Sequence, residues 1–304
     1  MNKGKLKRQL QLHLMLLLPM VLLIVYCYGP MIGLLMGFEN YIPSSKGFFY
    51  SLTHSPWVGL DHFRYILNMP DALRTIKNTL FIATMKIAVK IIFPLIFAML
   101  LNEVRKGWFR KGVQTITFLP YFLSWVILGG ILKDIFSPRD GIISILLEQL
   151  NIEAPYFFGN PQLFPFMLVI TDLWKEIGFN TIIFLAALTG LDVSLLEAAA
   201  IDGASRWKQI MKVVLPTIAS TIILVTILGL GNILNAGFDQ VFMLYNPMVY
   251  STGDIIDTYT FRMGMEKGRY SLATAVGMFK SVVTLIIMTI SYKIAKKVCD
   301  YKIF

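Results

Sequence analysis

Asp172, Lys175 and Glu176 interrupt an otherwise apolar run over residues 164–190, and their spacing limits the chemistry open to them. Residues three or four apart share a helix face, so Asp172 and Glu176 lie together and Lys175 is within reach of Asp172. Charged groups in such a run face protein or a watery path, because exposure to hydrocarbon is expensive. The set reads either as an internal ion pair that fixes helix packing or as the polar lining of a solute pathway. Trp174, beside these charges, favours a pathway for a polar, ring-shaped solute, and Asn180 lies one turn beyond Glu176. Lys86 and Lys90 repeat the four-residue spacing inside another apolar run and imply carboxylate partners on neighbouring helices, or a cavity. Asn232, Asn235, Asp239 and Gln240 cluster at the end of a third run, suited to bonding between helices or to meeting solute at an outer vestibule. Tyr121, Ser124 and Trp125 follow Pro120, where aromatic packing and solute contact are both open.

Nothing here resembles a catalytic set. His13, His54 and His62 are scattered, without the spacing that would pair them with a Cys or a carboxylate as metal ligands. Cys27 and Cys299 are isolated, which implies neither a disulfide framework nor a zinc site. No Gly-x-Ser-x-Gly elbow and no phosphate-cradling loop ending in Gly-Lys-Ser/Thr occurs. The expectation is no catalytic residue, no metal and no cofactor in this chain; energy from ATP must be harvested by another chain.

The elements that position these groups are membrane spans. With 56% hydrophobic and 15% charged residues and a mean hydropathy of +0.65, the chain is too apolar for an ordinary soluble protein. A bilayer core needs about 20 largely apolar residues per helix. Six intervals qualify: 11–37, 77–101, 112–135, 164–190, 214–235 and 273–296. The first follows a basic start but is long and lacks a small-x-small cleavage site, so it reads as a retained span, kinked near its outer end by Pro19 or Pro30.

Lys and Arg number fifteen in the segments on the N-terminal side (Lys3 to Arg8, Arg105 to Lys111, Arg206 to Lys212, Lys293 to Lys302) and eight on the other. That asymmetry predicts both termini in the cytoplasm. The net charge of +10 is then a topology signal divided among loops, and nucleic acid is not expected as a partner. Breakers such as Pro43, Gly47, Pro56, Gly59 and Pro70 mark an outer segment over 39–72. A second, 136–163, includes an amphipathic run, Ile142 to Leu150, suited to lying along the surface.

On the cytoplasmic side, residues 194–216 are polar and ordered by their own sequence. Ser194-x-x-Glu197 fits a capping box, Ala198, Ala199 and Ala200 keep the helix slim, and Asp202-Gly203 supplies a turn. Trp207, Ile210, Met211 and Val214 then recur at helical spacing as one apolar stripe, and Pro216 suits the first turn of the next span. Physics alone gives an ordered interfacial helix pair, either docking a partner or packing on its own bundle.

Glu197-Ala-Ala, three residues, Gly203, nine residues, Val213, one residue, Leu215-Pro216 resembles the EAA signature of ABC importer permeases, with Val213 where the family usually has Ile. Ser55 to Leu60, Leu119 to Trp125, Ile233 to Gln240 and Gly253 to Tyr259 are similar to binding-protein-dependent sugar permeases, the last two blocks to importers of complex oligosaccharides. The resemblance covers residues 10–300. It implies an all-α integral membrane fold of six transmembrane helices, with a five-helix importer-permease core and an N-terminal wrapping helix. Residues 1–72 would form the N-terminal tail, first span and outer loop, and 73–304 the permease core with a coupling segment at 191–213. Glu197 and Gly203 occupy signature positions of the helix that meets the ATPase, with Ala198, Ala199, Asp202 and Arg206 beside them. Tyr121, Trp125, Asp172, Trp174, Glu176, Asn180, Asn235 and Asp239 become candidates for the substrate pathway.

The function implied is a non-enzymatic permease subunit moving a sugar across a bacterial cell membrane. Its implied partners are a second, homologous permease chain, two ATPase subunits that bind ATP and Mg, an extracellular solute-binding protein and membrane lipid. An ion-coupled secondary transporter or channel using Asp172 and Glu176 is the alternative from another class, though it leaves residues 194–216 unexplained. A membrane enzyme lacks a nucleophile, and an ABC importer of a non-sugar solute remains open.

Overall fold

The structure is a computed structural model that describes residues 3–104, 106–231 and 233–299; Arg105, Asn232 and Lys302, weighed above, lie outside the described residues. Its helices are α1 (Lys3–Leu23), α2 (Phe48–His54), α3 (Asp61–Asn68), α4 (Pro70–Glu103), α5 (Gly107–Phe118), α6 (Trp125–Ile135), α7 (Ile142–Gln149) and α8 (Phe164–Thr189). They continue with α9 (Val193–Ile201), α10 (Arg206–Gln209), α11 (Leu215–Thr217), α12 (Ala219–Gly231), α13 (Phe238–Leu244), α14 (Tyr250–Gly253), α15 (Ile256–Phe261) and α16 (Tyr270–Cys299). Among the described residues there is no strand, only an isolated bridge between Glu39 and Trp57.

Three helices are long and apolar enough to cross a membrane: Leu12–Phe38, Pro70–Glu103 and Tyr270–Lys293. Three more candidates are bent pairs: Gly107–Phe122 with Trp125–Ile135 (105°), Phe164–Thr189 with Val193–Ile201 (69°), and Arg206–Thr217 with Ala219–Gly231 (63°). The span count is therefore three, or up to six if each bent pair is one crossing. The first and last bends occur at prolines, as expected where a residue lacks the N–H and clashes with the preceding turn. Pro120 lies in a 3-10 turn, Leu119–Phe122, and Ser124 then caps α6 by accepting from the Ile127 amide at 3.4 Å. Pro216 opens α11. Along the first span the winding changes from α to π at Ile24–Tyr28 and to 3-10 over Gly29–Phe38, with Pro30 at the start of the last stretch.

The contacts define two compact units. One comprises Met1–Met69 with Thr260–Phe279. Phe38 stacks on Trp57 with centroids 5.7 Å apart, and the Tyr41 amide donates to Ser271 Oγ at 2.8 Å. Burial raises the pKa of Glu39 above the ordinary glutamate value.

The other unit comprises Pro70–Tyr259 with Lys280–Phe304. It contains two apolar clusters, one around Ile82, Leu128, Phe164, Leu168, Val241 and Leu244, the other around Ala98, Leu101, Phe184, Leu188, Val214 and Ile218. Both lie along α4 and α8. Close approach of α8 to α5 requires Gly178, where any Cβ would meet the Thr117 carbonyl. Small residues at such crossings let backbones touch, which compensates for the weak hydrophobic drive between helices in lipid.

Candidate functional site

Between the two apolar clusters, α4 and α8 face one another with charges. Lys90 Nζ lies 2.8 Å from Asp172 Oδ2 and 3.2 Å from Glu176 Oε2, while Lys86 Nζ is 3.9 Å from the same Asp172 oxygen. The carboxylates that the two lysines require are thus on α8. Lys86 and Asp172 are each only 5% exposed, so they survive burial through what surrounds them. An ammonium has three N–H donors. Besides Asp172, Lys86 finds the Ala236 carbonyl at 2.6 Å and the Gln240 side-chain oxygen. The Ala236 carbonyl is available because the chain is non-helical between α12 and α13. Gln240, fully buried, completes its amide by donating to the Leu168 carbonyl (2.7 Å) and Thr171 Oγ1 (2.8 Å). Asp172 Oδ2 has no aligned hydrogen bond, so its contact with the two ammonium groups is one of charge.

Lys175 does not pair with Asp172 as its three-residue spacing suggested. Its ammonium donates to the Tyr121 carbonyl at 2.7 Å and sits over the Tyr121 and Trp125 rings at 5.3 and 5.7 Å. The reason is the break at Pro120, which leaves carbonyls without helical partners beside α8. Tyr121 in turn stacks flat on Phe179, 4.4 Å between centroids.

Of the pathway candidates, Asp172 and Glu176 gather with Lys86 and Lys90, while Tyr121 and Trp125 gather around Lys175. Trp174 is exposed on α8, Asn180 is half-buried, and Asn235 and Asp239 are exposed beside the break whose buried members are Ala236 and Gln240. Sequence reasoning placed Gln240 only in an outer polar cluster and missed Thr171. The sequence carried little signal for either: Thr171 stands next to Asp172, and the Ala236 carbonyl that shares Lys86 with Gln240 is a backbone group. Sequence reasoning also missed Lys280, which bridges to Asp257 at 2.5 Å; a lysine inside the last apolar run, well before Lys293 and Lys296 at its end, was the cue.

The 191–213 segment is a helix pair with caps that differ from those read in sequence. The first helix starts earlier than Ser194. Asp192 is its cap, accepting from the Ser194 amide at 2.9 Å, and Ser194 hydrogen bonds lower the Asp192 pKa. An aspartate two residues before Ser194 out-competes the serine, because it offers a charged acceptor at the positive helix end. At the other end the Gly203 amide bonds to the Ala200 carbonyl (3.0 Å) and the Ala204 amide to Ala199 (2.9 Å), with Gly203 at φ +76°. This is a Schellman closure, which favours glycine in the left-handed region. Ser205 caps α10 by accepting from the Lys208 amide at 3.4 Å, and the Gln209 side chain ties back to the Ala204 carbonyl at 3.0 Å.

The apolar stripe also splits: Val214 is buried and Ile210 half-buried, but Trp207 and Met211 are exposed at 69% and 45%. Glutamine at 209 takes the inward place instead because its amide reaches Ala204. Leu191 and Leu196 pack with Val214 against the apolar cluster around Phe184, anchoring the segment. Glu197, Ala198, Asp202, Gly203 and Arg206 stay exposed, with Ala199 half-buried. Among the described residues no group of three or more His, Cys, Asp or Glu side chains is placed to hold a metal ion.

Apolar helices long enough to cross a membrane, several of them bent, with an exposed and capped helix pair between two of them, describe a membrane-protein architecture. Residues 90–299 match the family described as binding-protein-dependent transport system inner membrane component, and the chain belongs to that family. Protein LplB of Bacillus subtilis (strain 168) is 40% identical, with 96% of this chain and 90% of that protein covered. The polygalacturonan/rhamnogalacturonan transport system permease protein YteP of the same strain is 36% identical at the same coverage of 96% and 90%. Among solved structures, the crystal structure of a bacterial alginate ABC transporter in complex with alginate pentasaccharide-bound periplasmic protein includes a chain of TM-score 0.87 and 35% identity, with 97% of each chain covered. The chain is therefore a permease component of an ABC importer, a transporter subunit and not itself an enzyme.

Proposed function

We propose that this chain forms half of the translocation pathway of an importer for an oligosaccharide, driven by ATP hydrolysis on two separate cytoplasmic ATPase subunits that bind ATP and Mg. Residues 191–213 receive the motion of those subunits. The observation that carries this reading is the exposed, doubly capped helix pair with Gly203 at its corner, in a chain without any phosphate-binding loop. A second permease chain completes the pathway, a binding protein outside delivers the sugar, and both termini lie in the cytoplasm. The polysaccharide-linked names of YteP and of the alginate transporter support a sugar cargo. Transport alternates between two states, which requires ATP and cargo each to bind those states with different affinity.

The ion-coupled alternative needs a carboxylate free to exchange its ion. Asp172 and Glu176 both face Lys90 within 3.2 Å, which argues against that use. The test is uptake of labelled oligosaccharide into vesicles with and without a catalytically dead ATPase. Uptake abolished with the dead ATPase supports the proposal; uptake that persists sinks it.

A further inference from the structure

Beyond the C-terminus of α6 lies a cavity of about 260 Å³ whose walls include Lys133, Phe136, Ser137, Tyr156, Tyr245 and Asn246. None of these residues belongs to the ion-pair cluster or to the 191–213 segment. The walls are held in place. Asn246 donates to the Phe158 carbonyl at 2.8 Å and accepts from the Met248 amide at 2.9 Å. Phe136 is wedged edge-on against Phe157 and Phe158, at 5.1 and 5.8 Å between centroids. The Ser137 carbonyl accepts from Ser144 Oγ at 2.6 Å. The Tyr156 ring lies over Gly159, a space that any Cβ would take.

What the walls leave open is specific. Lys133 and Tyr156 are exposed and Ser137 is half-buried, and no hydrogen bond or ion pair ties Lys133 Nζ, Ser137 Oγ or the Tyr156 hydroxyl to another described residue, so each is left to solvent or to a ligand. Lys133 is the one charged residue of the lining; the neighbouring Asp134 and Arg139 are not part of it. A cavity this small is below the roughly 300–1,000 Å³ range of sites for drug-sized ligands, which suits a single ring. Aromatic faces fit the C–H face of a pyranose, hydroxyls fit its edge, and an unpaired ammonium fits an anion through a charge-assisted hydrogen bond. An acidic side chain of a docked protein would satisfy Lys133 but would leave the ring-lined volume unfilled.

We infer that this cavity binds one carboxylate-bearing pyranose unit of an oligosaccharide, with Lys133 pairing the carboxylate and the Tyr156 ring stacking on the sugar. The inference rests on the oligosaccharide-importer reading above and narrows its cargo to acidic sugars. In the proposed orientation the cavity opens outward, where cargo arrives.

The experiment uses the assembled importer in lipid nanodiscs without its binding protein, titrated calorimetrically with trigalacturonic acid and with neutral galactotriose. The expected result is at least about tenfold tighter binding of the acidic trisaccharide, the scale of one charge-assisted contact. Lys133→Gln removes that discrimination, Lys133→Arg restores it, and Tyr156→Ala weakens both sugars. Arg139→Gln, the same charge change outside the cavity, preserves it. Equal wild-type affinities, or discrimination that survives Lys133→Gln, overturns the inference. So does loss of binding-protein association in Lys133→Gln with sugar affinities unchanged, which would make the cavity a protein-docking site. Failure of the importer reading is separate: it appears as absence of ATP-dependent uptake of both sugars, a readout that the titration does not involve.

Discussion

Lys90 of α4 bridges Asp172 and Glu176 of α8, with its ammonium 2.8 Å from one carboxylate and 3.2 Å from the other. The carboxylates are four residues apart, one helical turn, and Lys86 stands one turn from Lys90 on the opposing helix. Matching four-residue repeats on two facing helices set their register: turning either helix by one residue, about 100°, would carry its charges away from the partner. In an apolar surrounding that mismatch is punished strongly, so the ladder specifies a unique packing of α4 on α8 more than it adds stability.

The two carboxylates are expected to differ. Asp172 has 7% side-chain exposure and faces two ammonium groups; Glu176 has 28% and faces one. Asp172→Asn should destabilise the protein by about 3–5 kcal/mol, the range for stranding buried charge, and Glu176→Gln by about 1 kcal/mol. Thermal unfolding in detergent would measure both. Equal effects of the two substitutions would show that burial does not grade the ladder.

Lys175 serves another structure, the break before α6. Lys175→Met keeps the apolar stem but loses the donor to the Tyr121 carbonyl, an expected loss of about 1–3 kcal/mol. Hydrogen exchange should quicken in amides 123–128 and stay unchanged around residues 86–90. Exchange that rises equally at both places would mean that Lys175 supports the ion-pair ladder instead.

Glu39 gives a pH signature. Burial raises its pKa, so the folded protein prefers the protonated form; the stability it contributes is full below the unfolded-state pKa and is lost as pH rises through the raised folded value. Glu39→Gln mimics the protonated form and should raise the unfolding midpoint at about pH 8 with little change at about pH 4. The His62 ring bonds the Glu39 backbone carbonyl at 3.1 Å, a contact that the side-chain substitution leaves in place. A midpoint lowered at the higher pH would reverse the sign and refute the assignment.

The sequence made legible those features that follow from local spacing. Apolar run length located the spans, and the four-residue repeats of Lys86 with Lys90 and Asp172 with Glu176 told that opposite charges must meet. Pairing partners were less legible, because a helix face does not say which neighbour it meets. Lys175 had an acid three residues away and yet turned to the carbonyls that Pro120 had released, which only the third dimension brings near. Capping failed for a similar reason: Asp192 and Ser194 are both competent, and the start of α9 depends on where α8 ends at Gly190. The stripe through Trp207 misled because periodicity marks apolar residues, not whether their side is covered. The cavity at Lys133 was invisible, since its walls come from residues 133–158 and 244–246, joined only by folding.

Gly203 separates backbone strain from packing as a cause of lost coupling. Its φ of +76° is left-handed, yet a Cβ built there meets no atom within 4 Å. Gly203→Val therefore clashes with nothing in this chain and acts only through the backbone, where a β-branched residue at positive φ is strained by about 1–2 kcal/mol or more. Gly203→Asn, which tolerates that region, should be nearly neutral. If the corner of the helix pair is what the ATPase grips, Gly203→Val loses co-purification with the ATPase while Gly203→Asn keeps it, and both retain the thermal midpoint of the membrane unit. Loss in both variants would point to the surface that the added side chain covers, not to the turn. Retention in both would remove the 191–213 segment from the docking surface altogether.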